Sequence, residues 1–489
     1  MPASAATNCP GSLLTSGGTR DVGQIGWTRS DGTLGAILWD GSGSRTVFPS
    51  SAIHNCSPSV RVADVINPTT ATGGRAGTPC PINSVDRNLR TPYVETWTLS
   101  IEHAITNNLV LDVAYVGNHG VKLLGRHEDN QPFAGQVWNT VMTSGANAGS
   151  TFAQVCNSTR ASNNCDGSGG VFGAALVAAK QYTTKFPYIN TILRLANGMT
   201  SNYNGLQVSL TARNFHGFST NLGYTYSKAL DVNSSNGGNV GTDSYNLALD
   251  YGRSASDLRH RLTFSTTYNL PWKQGLLDGW KINSIFKFQT GRPWQAGTQW
   301  GDPGGTGRAS RPDFFGDPSD FVVDYTGRNF AVFHPGGTTA SGINPQTQTP
   351  YAAEDLAINT PLCTGHAGSA ATVQAFGCWT QGGSAITPAP VGSFGNMPKG
   401  LFDGPSYWGV DMSLAKRQKV TERLFAEFRA ESFNVLNHPV FAQPATSVSC
   451  SATTCNLGLT SATPDVAATN PVLGSGGARR LQFGVKLIF

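Results

Sequence analysis

SNYNGLQVSLTARNFHGFSTNLGYTYSKALD, residues 201–231, is the stretch on which the fold turns. In its first half Leu206, Val208, Leu210 and Ala212 point one way and Gln207, Ser209, Thr211 and Arg213 the other. That two-residue period is the mark of a strand with one apolar and one polar face. Residues 219–228 repeat the alternation after a connection of only 214–218, so the pair reads as a hairpin.

The same pattern recurs on both sides, giving nine segments: 92–103, 109–118, 202–213, 219–228, 259–270, 279–291, 406–416, 422–433 and 480–489. In 259–270, Leu262, Phe264, Thr266 and Tyr268 oppose Arg261, Thr263, Ser265, Thr267 and Asn269; in 279–291, Trp280, Ile282, Phe286 and Phe288 oppose Lys281, Asn283, Lys287 and Gln289. A soluble sandwich and a membrane barrel share this alternation. The connections separate them. Short ones at 104–108, 214–218, 271–278 and 417–421 alternate with long ones at 119–201, 229–258, 292–405 and 434–479. Tight turns at one end and large loops at the other predict an all-β, antiparallel transmembrane barrel, partial, with about nine or ten strands and long extracellular loops.

Charge placement agrees. A lipid-facing Arg or Lys near the bilayer centre costs roughly 2–4 kcal/mol, and Glu102, Asp112, Arg213, Arg261, Lys281, Lys287, Asp411, Glu427, Arg429, Glu431 and Lys486 all fall on the polar faces. Glu95 is the exception within a strand, while Lys228, Lys416 and Glu422 lie at strand ends. Aromatics gather toward the short-turn end (Tyr268, Trp272, Trp280, Phe489) and the long-loop end (Trp294, Tyr407, Trp408, Phe433), as two interfacial girdles would. The last strand follows a long loop, so it runs from the loop side inward and the carboxyl terminus is expected in the periplasm. Counting back through nine strands assigns 1–91 to an extracellular loop segment of a truncated barrel and 92–489 to its carboxyl-terminal strands.

The composition fits. Gly 58 and Pro 27 with only 13% charged residues exclude a long helical bundle. A net charge of +5, spread along the chain, gives no basic face for nucleic acid. No apolar run reaches the roughly 18 residues of a membrane helix, and the first residues show no signal peptide. G-x-S-x-G, H-E-x-x-H, Walker A and dinucleotide-binding patterns are missing, so neither an enzyme nor a cofactor is expected. Asp257, Arg259, His260 and Arg261 crowd together, but neighbours on a strand alternate faces and do not converge.

All nine cysteines fall in segments assigned to the outside. Cys156 with Cys165, Cys363 with Cys378 and Cys450 with Cys455 form close couples in polar loops, as disulfides do; no Cys-x-x-Cys spacing or His cluster suggests a metal. In 292–405, Trp300, Asp302, Arg308, Asp313 and Phe314 combine rings and charges suited to capturing a small or oligomeric ligand, although mutual packing within an ordered loop serves equally well. In the final strand Leu481, Phe483, Val485, Leu487 and Phe489 alternate with Gln482, Gly484 and Lys486. Phe483, Val485, Leu487 and Phe489 resemble the terminal signal read by barrel-assembly machinery.

TPYVETWTLSIEHAITNNLVLDVAYVGNHGVKLL (91–124), the opening stretch, DLRHRLTFSTTYNLPW (257–272) and RRLQFGVKLIF (479–489) together resemble TonB-dependent outer-membrane receptors, in particular the Oar-like branch with a carboxypeptidase-regulatory-like domain. The resemblance implies a barrel of about 22 strands around a plug, importing a nutrient with energy from the TonB complex. On that reading the plug, the TonB box and the earlier strands lie upstream of this chain. An outer-membrane adhesin anchored by the same barrel is the alternative. The outside assignment of the cysteines predicts that non-reducing peptide mapping of protein from membranes links Cys156 to Cys165, Cys363 to Cys378 and Cys450 to Cys455; six free thiols would contradict it.

Overall fold

The computed structural model describes residues 80–142, 148–158, 170–182, 189–235, 241–272, 278–296, 302–308, 310–321, 331–333, 343–344, 349–350, 365–366, 378–381, 383–387, 389–390, 392–444, 446, 460, 463 and 477–489. Within them one sheet dominates. It consists of β1 (Cys80–Val85), β2 (Tyr93–Thr106), β3 (Leu109–Glu128), β4 (Ile189–Phe215), β5 (Phe218–Asp231), β6 (His260–Asn269), β7 (Trp280–Gln289), β8 (Tyr407–Lys419), β9 (Phe425–Phe433) and β10 (Arg480–Ile488), with the short Gly252–Arg253 added beside β5.

From β2 to β10 every strand pairs antiparallel with its predecessor in the chain, a pure meander. All nine expected segments are strands. The differences lie in length and in what the loops contain. β3 and β4 run well into the expected loop 119–201, and their outer halves stay paired from Leu123 with Met199 to Glu128 with Leu193. β1, inside the segment expected to be loop, pairs parallel to that outer half of β4, and Arg194 rivets it there through Asp86 at 2.5 Å and Asp129 at 2.7 Å. Loop 129–188 carries two helices, α1 (Phe152–Ser158) and α2 (Gly170–Ala179), and loop 292–405 carries a small four-stranded sheet.

The β4–β5 turn shows how sequence sets register. Phe215 pairs with Phe218, leaving His216 and Gly217 as a two-residue turn with φ of 51° and 86°. Left-handed values at both positions twist the turn with the strands, and Gly adopts them without strain. Tyr268 lies 3.2 Å from where a Cβ on Gly217 would sit.

Residues directly opposite each other share a face, so the register tests the expected partition. Ile101, Val113, Val208, Tyr224, Leu262, Phe288 and Trp408 form one continuous row across seven strands. On the other face Ala114, Gln207, Thr225, Arg261, Gln289 and Tyr407 line up, as do Thr267, Asn283, Ser413 and Glu431, tied by Thr267 to Asn283 at 2.8 Å and Asn283 to Ser413 at 2.9 Å. Three charges fall on the apolar face, and one of them, Lys228, stands opposite Asn204 toward the long-loop end of β5. Glu95 stands opposite His119, and the Lys416 ammonium lies 5.3 Å from the centre of the Trp280 ring, near the short-turn end. Thr220 and Thr266, also on the apolar face, bond each other at 2.8 Å. Arg429 pairs along its own strand with Glu427 at 2.6 Å rather than across to a neighbouring strand.

Among the described residues the sheet is not closed: β2 and β10 are its edges. Their side chains stand exposed, with Leu99 68%, Ile101 67% and Phe483 77% accessible. The faces predict opposite results for two adjacent substitutions in β6. Phe264→Arg, on the apolar face in mid-strand, should cost roughly 2–4 kcal/mol of membrane insertion, whereas Ser265→Arg, between Asn221 and Ile285 on the polar face, should cost little. The measurement is the folded fraction in outer membranes; equal losses would refute the face assignment.

Candidate functional site: a cavity at the long-loop end

The loops that follow β3, β5, β7 and β9 converge at one end of the sheet. After β3, Val137, Trp138, Phe152, Ala175 and Ala179 bury one another, and the Trp138 ring packs tilted against Phe152 at 5.0 Å. This small core grips the loop after β7: the Trp138 indole N–H donates to Pro303 O at 2.6 Å, and Gly135 N–H donates to Gly304 O at 2.8 Å. Gly305, at φ 68°, sits so close that an added Cβ would lie 2.9 Å from Val137, so glycine permits the approach.

Ion pairs fasten the rest. Glu128, buried at the end of β3, accepts from Ile192 N–H at 2.8 Å and from the Arg308 guanidinium at 2.8 Å. Asp250 accepts from Arg311 at 2.6 Å and from the Thr242 N–H and hydroxyl; Arg311 also donates to Met397 O at 2.9 Å and to Leu249 O. Lys399 reaches Asp231, the last residue of β5. Arg253 spans Asp257 at 3.1 Å and Asp403 at 2.7 Å. Asp257 is fully buried, accepts from Ala229 N–H at 2.7 Å and faces Arg259 at 3.4 Å. Since a buried carboxylate is tolerated only when its oxygens are paired and hydrogen-bonded, these contacts set the loop positions.

Between the loops lies a cavity of about 870 Å³. Its charged wall is Arg253, Arg292, Arg308, Arg311, Lys399 and Asp250, with Trp294, Met199 and Gln443 among the other lining residues. Of the ligand residues expected from sequence, Arg308 lines this space. Asp302 instead organises its own turn, accepting from Gly307 N–H and, at 3.4 Å, from the Thr306 hydroxyl. Asp313 accepts from Asn396 N–H at 2.6 Å. Phe314 packs edge-on against Phe402 at 5.7 Å and Phe321 at 5.9 Å. Trp300 lies outside the described residues, as do Cys165, Cys363, Cys450 and Cys455; Cys156 is in α1 and Cys378 opens a short strand. The structure thus turns Asp302, Asp313 and Phe314 away and groups Arg308 and Arg311 with Arg292 and Lys399 from the two ends of the same long loop and with Arg253 from the loop after β5. The one local signal was Arg253 four residues before Asp257. His260 faces away from Arg261, its ring nitrogen 2.8 Å from the Tyr224 hydroxyl.

The chain belongs to the family described as outer membrane beta barrel domain, which it matches over residues 40–482. It is therefore an outer-membrane protein that crosses the bilayer with strands; no helix among the described residues is long and apolar enough to do so. No curated protein matches it in sequence. Among solved structures it is similar to the outer membrane transporter YddB from Escherichia coli (10% identity, TM-score 0.36, 84% of this chain and 34% of that one). It is also similar to FpvA, the ferripyoverdine receptor of Pseudomonas aeruginosa (11%, 0.30, 82% and 27%), and to BauA, the ferric preacinetobactin receptor of Acinetobacter baumannii (9%, 0.32, 81% and 29%). The chain spans about a third of the length of these proteins or less.

Burial pushes the Asp302 carboxyl up to about 6, against the pull of the Gly307, Thr306 and Gly305 amides. A carboxyl held above its unfolded value of 3.8 keeps its proton more tightly in the folded loop, so stability falls as pH rises from about 4 through 6. Acidification from pH 7 to pH 5 should therefore strengthen hydrogen-exchange protection of 302–308, and Asp302→Asn should flatten that dependence. A loop that loosens on acidification would contradict the assignment.

Proposed function

We propose that this chain forms the carboxyl-terminal strands of a TonB-dependent outer-membrane receptor, which captures a nutrient between its long loops and imports it with energy from the TonB complex. The observation that carries the reading is the cavity lined by three loops, those after β5, β7 and β9, over one end of a membrane sheet, a ligand-sized space where the molecules outside the cell arrive first. The sheet's edges support the remainder. β2 and β10 both run from the long-loop end to the short-turn end, so an antiparallel ring needs an odd number of further strands between them. In lipid an unpaired edge costs several kcal/mol per exposed backbone group, so a closed ring needs strands beyond those of the described residues. A TonB-dependent receptor, on this reading, supplies them together with a plug and a TonB box. Phe483, Val485 and Leu487 stand on the apolar face of β10 with Phe489 beyond it, which supports their reading as the segment seen by barrel-assembly machinery.

The test is depletion of growth medium. A strain lacking the gene should leave one class of solute unconsumed, and collapsing the proton gradient in the parent strain should leave the same class. If both deplete the medium equally while the deletion strain loses surface attachment, the adhesin reading replaces this one.

A further inference from the structure

We infer that the cavity takes a small polyanion, a molecule carrying two or more carboxylate or phosphate groups. The inference rests on the reading of the cavity as a capture site and adds the chemistry of its ligand. Five cations and one carboxylate reach the cavity wall. The carboxylates that pair with four of these cations are asymmetrically placed. Glu128, Asp231 and Asp257 are buried and stand behind Arg308, Lys399 and Arg253; Arg253 also pairs with the exposed Asp403, and none of these four carboxylates lines the space. Each such pair is a fixed dipole with its positive end toward the cavity. The carboxylate orients the cation without presenting its own charge to a ligand.

Arg292 differs from the rest. It is exposed on the cavity wall, and among the described residues no carboxylate pairs with it. Its backbone is held, because Gly404 N–H donates to Arg292 O at 2.9 Å, so its position is set while its guanidinium remains available. Were the cations there only to fasten loops, Arg311, saturated by Asp250, Leu249 and Met397, would be the pattern for all of them. Among the described residues the Arg292 side chain makes no ion pair that would fasten a loop. A guanidinium presents a planar fork that matches carboxylate and phosphate oxygens two at a time, and in a cleft with partly apolar walls its field is poorly screened. Met199, Val232 and Pro293 supply that apolar wall, and Trp294 offers a ring. The volume suits a ligand of metabolite size rather than a polymer.

The test is calorimetric titration of the whole chain in detergent micelles with citrate and, separately, pyrophosphate; the two arms distinguish carboxylate from phosphate. At least one should bind saturably, weakening about tenfold or more between roughly 50 and 500 mM salt. Trimethyl citrate, with the same skeleton and no charge, should not bind. Arg292→Gln should weaken binding at least about tenfold with unchanged strand content, while Arg423→Gln, in the short turn at the opposite end, should leave it unaltered. Failure of both anions to bind, equal binding of citrate and its ester, or wild-type affinity in Arg292→Gln would each overturn the proposal. Anion binding in a protein whose solute uptake ignores the proton gradient would defeat the transport reading alone; gradient-driven uptake of a neutral solute, with no anion bound, would defeat this one alone.

Discussion

Inside a bilayer no water satisfies a backbone N–H or C=O, and the rest of this structure follows from that constraint. Every strand from β3 to β9 answers it on both sides with a neighbour, and the meander order makes each neighbour the next piece of chain. Because each ladder forces opposed residues onto one face, pairing and amphipathicity are a single problem: a register slip of one residue in β6 would carry Arg261, Thr263 and Ser265 into lipid. The tight His216-Gly217 turn removes that freedom at the short-turn end, where there is too little chain to absorb a slip.

The long-loop end answers a different constraint. Once the outer halves of β3 and β4 leave the bilayer they stay paired with each other, and β1 adds to β4 from the other side, so the sheet itself extends into the loop layer. The loops then pack on that extension through a small aromatic core and through ion pairs whose carboxylates are withdrawn from water. Such pairs contribute more to position than to stability, since desolvation offsets much of the Coulomb attraction. Position is what a binding space requires. Arg308 is held by a residue of β3, Arg311 by the loop after β5 and Lys399 by the end of β5, so the wall of the cavity records how one long connection docks on two strands and a second loop.

The residues expected from sequence to meet a ligand and those that line the cavity differ for one physical reason. Residues 300–314 drew attention because rings and charges are dense there, but density along a chain says little about where side chains point once the loop folds. Asp302 turns back onto its own amides, Asp313 onto Asn396 and Phe314 onto other rings, while Arg308 and Arg311 reach the cavity. Arg253, Arg292 and Lys399 are unremarkable in sequence and acquire significance only through their neighbours in space.

The sequence by itself determined the nine strands, their order, their direction and the face each side chain takes. A two-residue period interrupted by alternately short and long connections is local information, and a bilayer converts it directly into topology. It also determined which charges avoid lipid, because the parity of Arg261, Lys287, Asp411 or Glu431 can be counted along the chain. Tertiary structure alone decided how far β3 and β4 project, where β1 docks, that loop 292–405 contains a sheet of its own and which cations share the cavity. Those features depend on contacts between segments up to 180 residues apart, as between Glu128 and Arg308, and no periodicity connects residues across such a distance.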